Sequence, residues 1–489
     1  MKKEMKFPGY FEVLTAEEIK TVHEDALKIL AEVGLEVNND KAIALLKERG
    51  CRVNNATRIV TFPADVVTEY MDLIPLQFTL YGRDPKYDFT LPDDGPIFGT
   101  ASSGTNVTDP LTGKIRPSKA ADIARIGHLL NEMPGISMYT CTISATDASF
   151  EYRNLERFYP ALKNCLKPVR ASGVDCVVEA EKILKLAYIV AGGEEEFMKR
   201  PFVAFHNCPV IAPLKMDHDS TEMLMYFVER GIPTYATIVP NAGLTSPFSL
   251  GATLVQHVAE FMAVSVLMQM VKPYTPVMFN SLPTVADLRT GAYAPGGVEC
   301  GLLHMTCAQM ARHYNVPSGG YIGQTNSKLP DAQAGYERAL AVTGGMLAGM
   351  DMLQMGGLIE ALMTFDYAQL AIDNEIALML KRVVQGIQYD AAEVAEALAE
   401  TKAVGPGGVF METNITMKNL RTLQFIPTVA DRNCRNVWES EGSKDAAERA
   451  LDWVKEILAK ENPNAIDEDT DQKIRDLYPD LMPGVSKLS

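Results

Sequence analysis

Eight short apolar or β-branched runs, each followed by a longer stretch of helical periodicity, dominate this chain from residue 97 onward. The runs begin at Ile97, Ile136, Val169, Phe202, Ile232, Val277, Ser318 and Met352, at intervals of 30 to 45 residues. Helical patterns occupy 120–133, 154–165, 177–190, 220–230, 250–271, 298–314 and 332–347, and one more follows the last run at 367–385. A short strand and a helix repeated eight times predict an α/β fold of the parallel (β/α)8 type, a TIM-type barrel. The competing arrangement is an open doubly wound sheet. It loses its usual ligand here, because no GxGxxG follows an early strand and no GxxxxGK[ST] occurs.

The remaining sequence predicts additions to that barrel. Residues 1–95 read as an N-terminal α/β cap, with an amphipathic helix capped by Thr15 and by Glu18 three positions on, and an alternating piece at 58–62. The barrel takes 96–400. A C-terminal extension, 401–489, runs from Gly-Pro-Gly-Gly through a Thr/Asn stretch into a helix at 443–460, and packs on the barrel as a helical appendage.

Composition removes whole classes of partner. With a formal charge of -16 the chain is a poor ligand for nucleic acid, whose binding is driven by neutralising phosphates. The basic start, Met1 to Lys6, leads into Phe7-Pro8-Gly9 without the apolar stretch of a signal peptide. Runs such as 261–271, which contains Gln269, fall short of the roughly 20 residues that span a bilayer. Eight cysteines without a CxxC fit reduced thiols, so the expected compartment is the cytoplasm. His206 and Cys208 would share one side of a strand, but a metal site needs three or four convergent ligands, and none is expected. The apolar helix at 250–271 leaves room for a homo-oligomer.

In a parallel barrel the reacting groups stand at the C-terminal strand ends and in the loops that follow. Here those positions hold Ser102, Thr105, Thr140, Thr142, Ser172, Asp175, His206, Asn207, Asn241, Asn280, Ser281, Gln324, Asn326, Lys328, Gln354 and Glu360. Amides and hydroxyls with one histidine do not make a glycosidase or a metal-assisted hydrolase, which needs a carboxylate pair or a ligand cluster. Lys328 would serve a Schiff-base lyase only if desolvated, and its polar neighbours point to a charged lysine. Tyr139, Phe205, Tyr235, Phe279, Tyr293, Tyr321 and Phe365 lie near the same ends, where some could face a cation and most would be core. Glu360 has the best claim among the acids.

Several segments, taken in order, resemble the trimethylamine methyltransferase family along nearly the whole chain. They are Tyr81-Gly82-Arg83-Asp84, Cys208-Pro209 through Ala212-Pro213-Leu214, Gly251-Ala252-Thr253-Leu254-Val255 after Ser246-Pro247, and Asp287-Leu288 through Gly291 and Ala294-Pro295. Lys328-Leu329-Pro330-Asp331 with Gln333-Ala334-Gly335, and Gln369-Leu370-Ala371-Ile372-Asp373-Asn374-Glu375, complete the set. The resemblance implies a cytosolic barrel enzyme that moves a methyl group from a methylated amine to the cobalt of a corrinoid protein. It also implies that no cofactor is held tightly by the chain itself.

In members that demethylate trimethylamine, a pyrrolysine precedes the Lys-x-Pro-Asp segment by four residues. Here that position is Gln324. The resemblance is therefore to the branch without pyrrolysine, whose substrates are quaternary amines such as glycine betaine, proline betaine, carnitine or γ-butyrobetaine. On this reading Gln324 and Glu360 are the candidate catalytic residues. His206, Asn280, Gln324, Gln354, Tyr139, Tyr321 and Phe365 are the candidate substrate contacts. The expected partners are a cognate corrinoid protein and a small quaternary amine. The alternatives are a trimethylamine-type methyltransferase and a betaine-binding barrel without turnover.

Overall fold

In the computed structural model, which describes residues 9–174, 176–387 and 389–488, eight parallel strands form one sheet. They are β1 (Ile97–Thr100), β2 (Tyr139–Thr140), β3 (Val169–Ser172), β4 (Val203–Asn207), β5 (Thr234–Ile238), β6 (Phe279–Ser281), β7 (Ser318–Gly320) and β8 (Met352–Gly356). Each pairs in parallel with its chain neighbour from β2 to β8, and β8 returns to β1. The seam closes where Gly99 bridges Met138 and Ser137 N–H donates to Phe98 O at 2.6 Å. The barrel expected from the eightfold rhythm is therefore present. Its second strand starts later than Ile136 because 136–138 forms this seam.

The helices follow as the periodicity predicts: α1 (Ala120–Asn131), α2 (Leu155–Asn164), α3 (Val177–Ala191), α4 (His218–Arg230), α5 (Leu250–Val271), α6 (Val298–His313), α7 (Ala332–Leu347) and α8 (Tyr367–Val384). Helix α5 is long and apolar enough to cross a membrane, but 78% of its most apolar stretch is buried inside the protein. That corrects the reading of its apolar character as an oligomer surface: it is core. Helices α5 and α6 sandwich two buried imidazoles behind β6. His257 stacks on Phe279 at 5.2 Å between ring centroids, and His304 Nδ1 lies 2.8 Å from Cys300 O.

Burial drives the His257 pKa down to about 3, so below pH 6.5 the unfolded chain takes up a proton that the folded chain refuses. Stability supplied by this group is complete above its ordinary value and is lost as pH falls. Glu260, one helical turn on, is pushed up by burial to about 7 and acts in the opposite sense. A variant therefore isolates the effect. His257→Phe keeps the stack on Phe279, and the stability it loses between pH 8 and pH 5 in urea unfolding should be smaller than the native loss by about 2 kcal/mol.

Additions to the barrel close one end and build up the other. A hairpin of Phe78–Leu80 and Phe89–Leu91 inserts Leu80, Phe89 and Leu91 among the inward-facing Ile97, Met138, Ala204, Tyr235, Met278 and Met352, which seals the N-terminal end of the barrel. At the C-terminal end, Asn106–Thr108 and Ile115–Pro117 after β1 pair with Leu358–Ile359 and Thr364–Phe365 after β8. Asn241–Ala242, Thr284–Asp287 and Ala292–Tyr293 make a second small sheet after β5 and β6.

The Thr15–Glu18 capping box opens Ala16–Lys28 as expected, and Ile59–Thr61 is the strand within the alternating piece. That strand joins a sheet with Leu35–Val37 and, across the chain, Lys215–Met216. The C-terminal helix runs Ala446–Leu458 behind an Asp445 cap, and the following Glu468–Leu477 docks through Asp471, which accepts hydrogen bonds from Tyr159 Oη at 2.5 Å and Lys163 Nζ at 2.9 Å.

A polar chamber at the candidate functional site

Side chains alternate in and out along each strand, and the inward set forms a polar layer above the apolar plug. On β3, Val169 and Ala171 belong to the outer core while Arg170 and Ser172 face the barrel axis. Ser172 is level with His206 of β4, which in turn is level with Tyr235 of β5. Thr237 pairs with Asn280, Asn280 with Gly319, and Gln354 with Gly99. Glycine at 319 keeps room for this layer, since a Cβ there would stand 3.1 Å from Asn280 Oδ1 and 2.9 Å from Met278 Sδ.

Arg170 dominates the chamber. It is fully buried, and its Nη2 donates to Tyr321 Oη at 2.8 Å. Tyr321 Oη also lies 2.8 Å from Ser102 Oγ, and Ser102 Oγ donates to Ser172 Oγ at 3.1 Å. The guanidinium carbon sits 4.9 Å from the ring centroid of Tyr235 and 5.0 Å from that of Tyr321. The face of Tyr321, a candidate substrate contact, and that of Tyr235 are thus already occupied by a protein cation. Nε and Nη1 of Arg170 have no hydrogen-bond partner.

His206 lies across from it, its ring centroid 6.1 Å from those of Tyr235 and Tyr321. Its Nε2 is hydrogen-bonded to Thr237 Oγ1, which also accepts from Asn280 Nδ2. Burial first, then the charges of Arg170 and Arg157, hold His206 well below the usual imidazole range, so it is neutral. Its Nδ1 is free. Gln324, in the loop after β7, donates from Nε2 to Gln354 O at 2.8 Å, and Gln354 Nε2 reaches Thr140 Oγ1 at 3.5 Å. That leaves Asn280 Oδ1, Gln324 Oε1 and Gln354 Oε1 as buried acceptors without donors. Buried polar groups in folded proteins are almost always paired. Donors at Arg170 and acceptors on three amides thus leave unused hydrogen-bonding capacity around one axis.

The structure brings His206, Asn280, Gln324, Gln354 and Tyr321 together, as the sequence suggested. Tyr139 and Phe365 are corrections. Tyr139 points outward and donates from Oη to Ile123 O of α1 at 3.0 Å, and Phe365 packs in the outer core edge-on to Tyr367 at 5.0 Å. Strand parity explains the first, since Met138 and Thr140 on either side face in.

Glu360 stands on the rim loop, where its carboxylate accepts from Thr364 Oγ1 at 2.8 Å, and it takes no part in the chamber network. It opens a run of three non-glycine residues with left-handed backbone, φ 54° at Glu360, 52° at Ala361 and 74° at Leu362. Glu360 N–H donates to Ser327 O at 2.7 Å and Ala361 N–H to Thr325 O at 2.9 Å, which fixes this strained turn to the Gln324 loop. Lys328 is exposed and donates to Asn326 O at 2.9 Å, which is not the desolvated amine a Schiff base requires. Asp175 lies outside the described residues. The sequence reading missed Arg170 and Thr237. Arg170 had a signal: it is a lone charge at an inward position of a strand otherwise made of small and apolar residues.

Residues 3–479 match the family model described as trimethylamine methyltransferase. Trimethylamine methyltransferase MttB of Desulfitobacterium hafniense (strain DSM 10664 / DCB-2) is 30% identical over 452 residues, 92% of this chain and 90% of that protein. The glycine betaine methyltransferase of Desulfitobacterium hafniense strain Y51 is also 30% identical, over 468 residues, 95% of this chain and 96% of that protein. The crystal structure of the Methanosarcina barkeri monomethylamine methyltransferase aligns over 97% of this chain and 96% of its own, at 13% identity and a TM-score of 0.49.

Proposed function

The chain belongs to the trimethylamine methyltransferase family, and from that premise we propose that it takes a methyl group from a quaternary amine carrying a carboxylate, a betaine, and delivers it to the Co(I) of a partner corrinoid protein in the cytoplasm. Equal identity to a trimethylamine enzyme and a glycine betaine enzyme leaves substrate choice to the site. The observation that carries the reading is Arg170. A fully buried guanidinium whose Nε and Nη1 are both unpartnered would repel a bare ammonium, but it complements a zwitterion, whose carboxylate can accept from one of these N–H groups.

The dipole of the chamber orients such a substrate. Along β3, Arg170 starts two residues deeper than Ser172, while Gln324 lies beyond the end of β7 near the mouth. The carboxylate goes down to Arg170, with His206 Nδ1 close by. The ammonium stays above it, against the amide oxygens of Asn280, Gln324 and Gln354, with an N-methyl group directed to the mouth. Methyl transfer breaks the C–N bond, its electron pair stays on a neutral tertiary amine, and the new bond forms with the electron pair of Co(I). No general acid is required. The neutral His206 and the uncharged amides suit that chemistry, because a carboxylate against the ammonium would stabilise the ground state more than the charge-dispersed transition state. The chain's share of catalysis is positioning. Gln324 holds one wall of the site, at the position that pyrrolysine takes in the resemblance.

The test offers glycine betaine, proline betaine, carnitine, γ-butyrobetaine and trimethylamine separately to the enzyme with a corrinoid protein held as Co(I), and follows the visible spectrum. Conversion to methyl-Co(III) is expected with a betaine. Conversion with trimethylamine alone would sink the proposal, and so would betaine binding without turnover.

A further inference from the structure

Gln324 stands in the loop after β7 with little of its own to hold it: one hydrogen bond, from Nε2 to Gln354 O at 2.8 Å, and an Oε1 without a donor. An amide that must keep one direction needs its backbone fixed on both sides. Two consecutive residues of α7 do this. Arg338 takes the residue before, donating from Nη1 to Gly323 O at 3.0 Å. Glu337 takes the residues after. Its Oε2 accepts from Thr325 Oγ1 at 2.5 Å and from Asn326 N–H at 3.0 Å, and its Oε1 accepts from Gln333 Nε2 at 2.9 Å.

Thr325 and Asn326 are also where the loops around the mouth meet. Thr325 Oγ1 accepts from Ser327 N–H at 2.9 Å, and Thr325 O accepts from Ala361 N–H of the turn after β8. The Asn326 side chain reaches the loop after β6, donating from Nδ2 to Tyr293 O and accepting from Gly296 N–H, both at 3.0 Å. The carboxylate fits this junction closely. A Cβ at Gly296 would stand 2.5 Å from Glu337 Oε2 and 3.0 Å from Asn326 N.

The two clamps differ in kind. Arg338 is fully buried and paired with Asp373, so its removal acts on the whole fold. Glu337 is half-buried, and the donors it holds lie within residues 325–333. A carboxylate accepting from a hydroxyl and a backbone N–H makes charge-assisted bonds, which fix direction more firmly than a neutral acceptor does.

We propose that Glu337 is a positioning residue, which acts through Thr325 and Asn326 to hold Gln324 against the N-methylated end of the substrate. This rests on the betaine reading above, in which Arg170 fixes the carboxylate end. The two ends then separate in kinetics. Arg170 governs binding, whereas Glu337, through Gln324, governs the alignment of the methyl group with the mouth, where a displacement of about 1 Å costs up to about 100-fold in rate.

With whichever of the four betaines the native chain demethylates, Glu337→Ala should lower kcat roughly 30-fold and change the calorimetric Kd by less than about threefold. Glu337→Gln keeps an acceptor for Thr325 and Asn326 and should recover most of that loss. Gln324→Ala should lower kcat to a similar degree. Adding Glu337→Ala to it should cost less than about threefold more, because changes that act through one residue are not additive. Hydrogen exchange needs no substrate: Glu337→Ala should speed exchange in the 324–327 segment and leave α5 unchanged. Equal kcat losses in both backgrounds, a Gln324→Ala variant as active as the native chain, or unchanged exchange at 324–327 would each overturn the role of Glu337. A native chain that demethylates only trimethylamine would sink the betaine reading alone, and the same cycle run with trimethylamine, together with exchange, would then decide on Glu337.

Discussion

Replacing Arg170 with Met should lower kcat/KM for a betaine by two to three orders of magnitude, about 3–4 kcal/mol, the range for removing one member of a buried charge pair. The loss should fall on binding as well as turnover, so calorimetry of the variant should show a Kd weakened by a similar factor. Arg170→Lys would keep the charge but lose the fixed planar N–H directions and the stack between Tyr235 and Tyr321. It should recover part of the affinity. Tyr321→Phe separates substrate contact from scaffolding, because it removes the 2.8 Å bond from Arg170 Nη2 while leaving Nε and Nη1 in place. If Arg170→Met binds betaine as tightly as the native chain while Tyr321→Phe does not, Arg170 is only a brace for Tyr321 and the zwitterion reading fails. Between pH 6 and 8 native binding should be flat, since His206 is already neutral throughout that range.

The second large effect concerns the support of the site. Arg338 of α7 and Asp373 of α8 are both fully buried, with Nη1 3.2 Å from Oδ2. Arg338 also donates to Gly323 O at 3.0 Å and to the carbonyls of Met355 and Leu358, while Asp373 accepts Gly357 N–H at 2.7 Å and Gln369 Nε2 at 2.8 Å. This pair ties the residue before Gln324 to β8 and to the start of the strained turn at Glu360. Burial pushes the Asp373 carboxyl above the ordinary range and Arg338 opposes that push. Arg338→Met would strand the carboxylate and should cost about 3–5 kcal/mol of stability, read as a lowered urea midpoint. Arg338→Met with Asp373→Leu should recover a large part of it, because two buried charges are then replaced by apolar groups. A single variant as stable as the native chain would mean that the carbonyl contacts carry no weight.

The barrel was legible because its signals are local. A β-branched run or a 3.6-residue period is written within ten or twenty residues, so α5 and α7 begin and end where the periodicity places them, and β1, β3, β7 and β8 start at the expected residues. The candidate site was legible in its amides for the same reason: His206, Asn280, Gln324 and Gln354 lie on or just after strands, and strand ends converge by topology. Tyr139 and Phe365 were misplaced because proximity to a strand end says nothing about which way a side chain points. Arg170 was passed over because a charged residue inside a strand looks unfavourable until closure supplies Tyr321 to receive it and two rings to flank it.

Helix α5 and helix Ala391–Val404 make the same point from opposite sides. Both carry many apolar residues as sequence, yet α5 is core and Ala391–Val404 buries none of its residues. Sequence by itself determined the order of elements and the class of fold, since backbone propensity and periodicity are properties of neighbours in the chain. Only the tertiary structure decided which polar atoms share one chamber and which apolar faces stay uncovered, because burial depends on segments hundreds of residues apart.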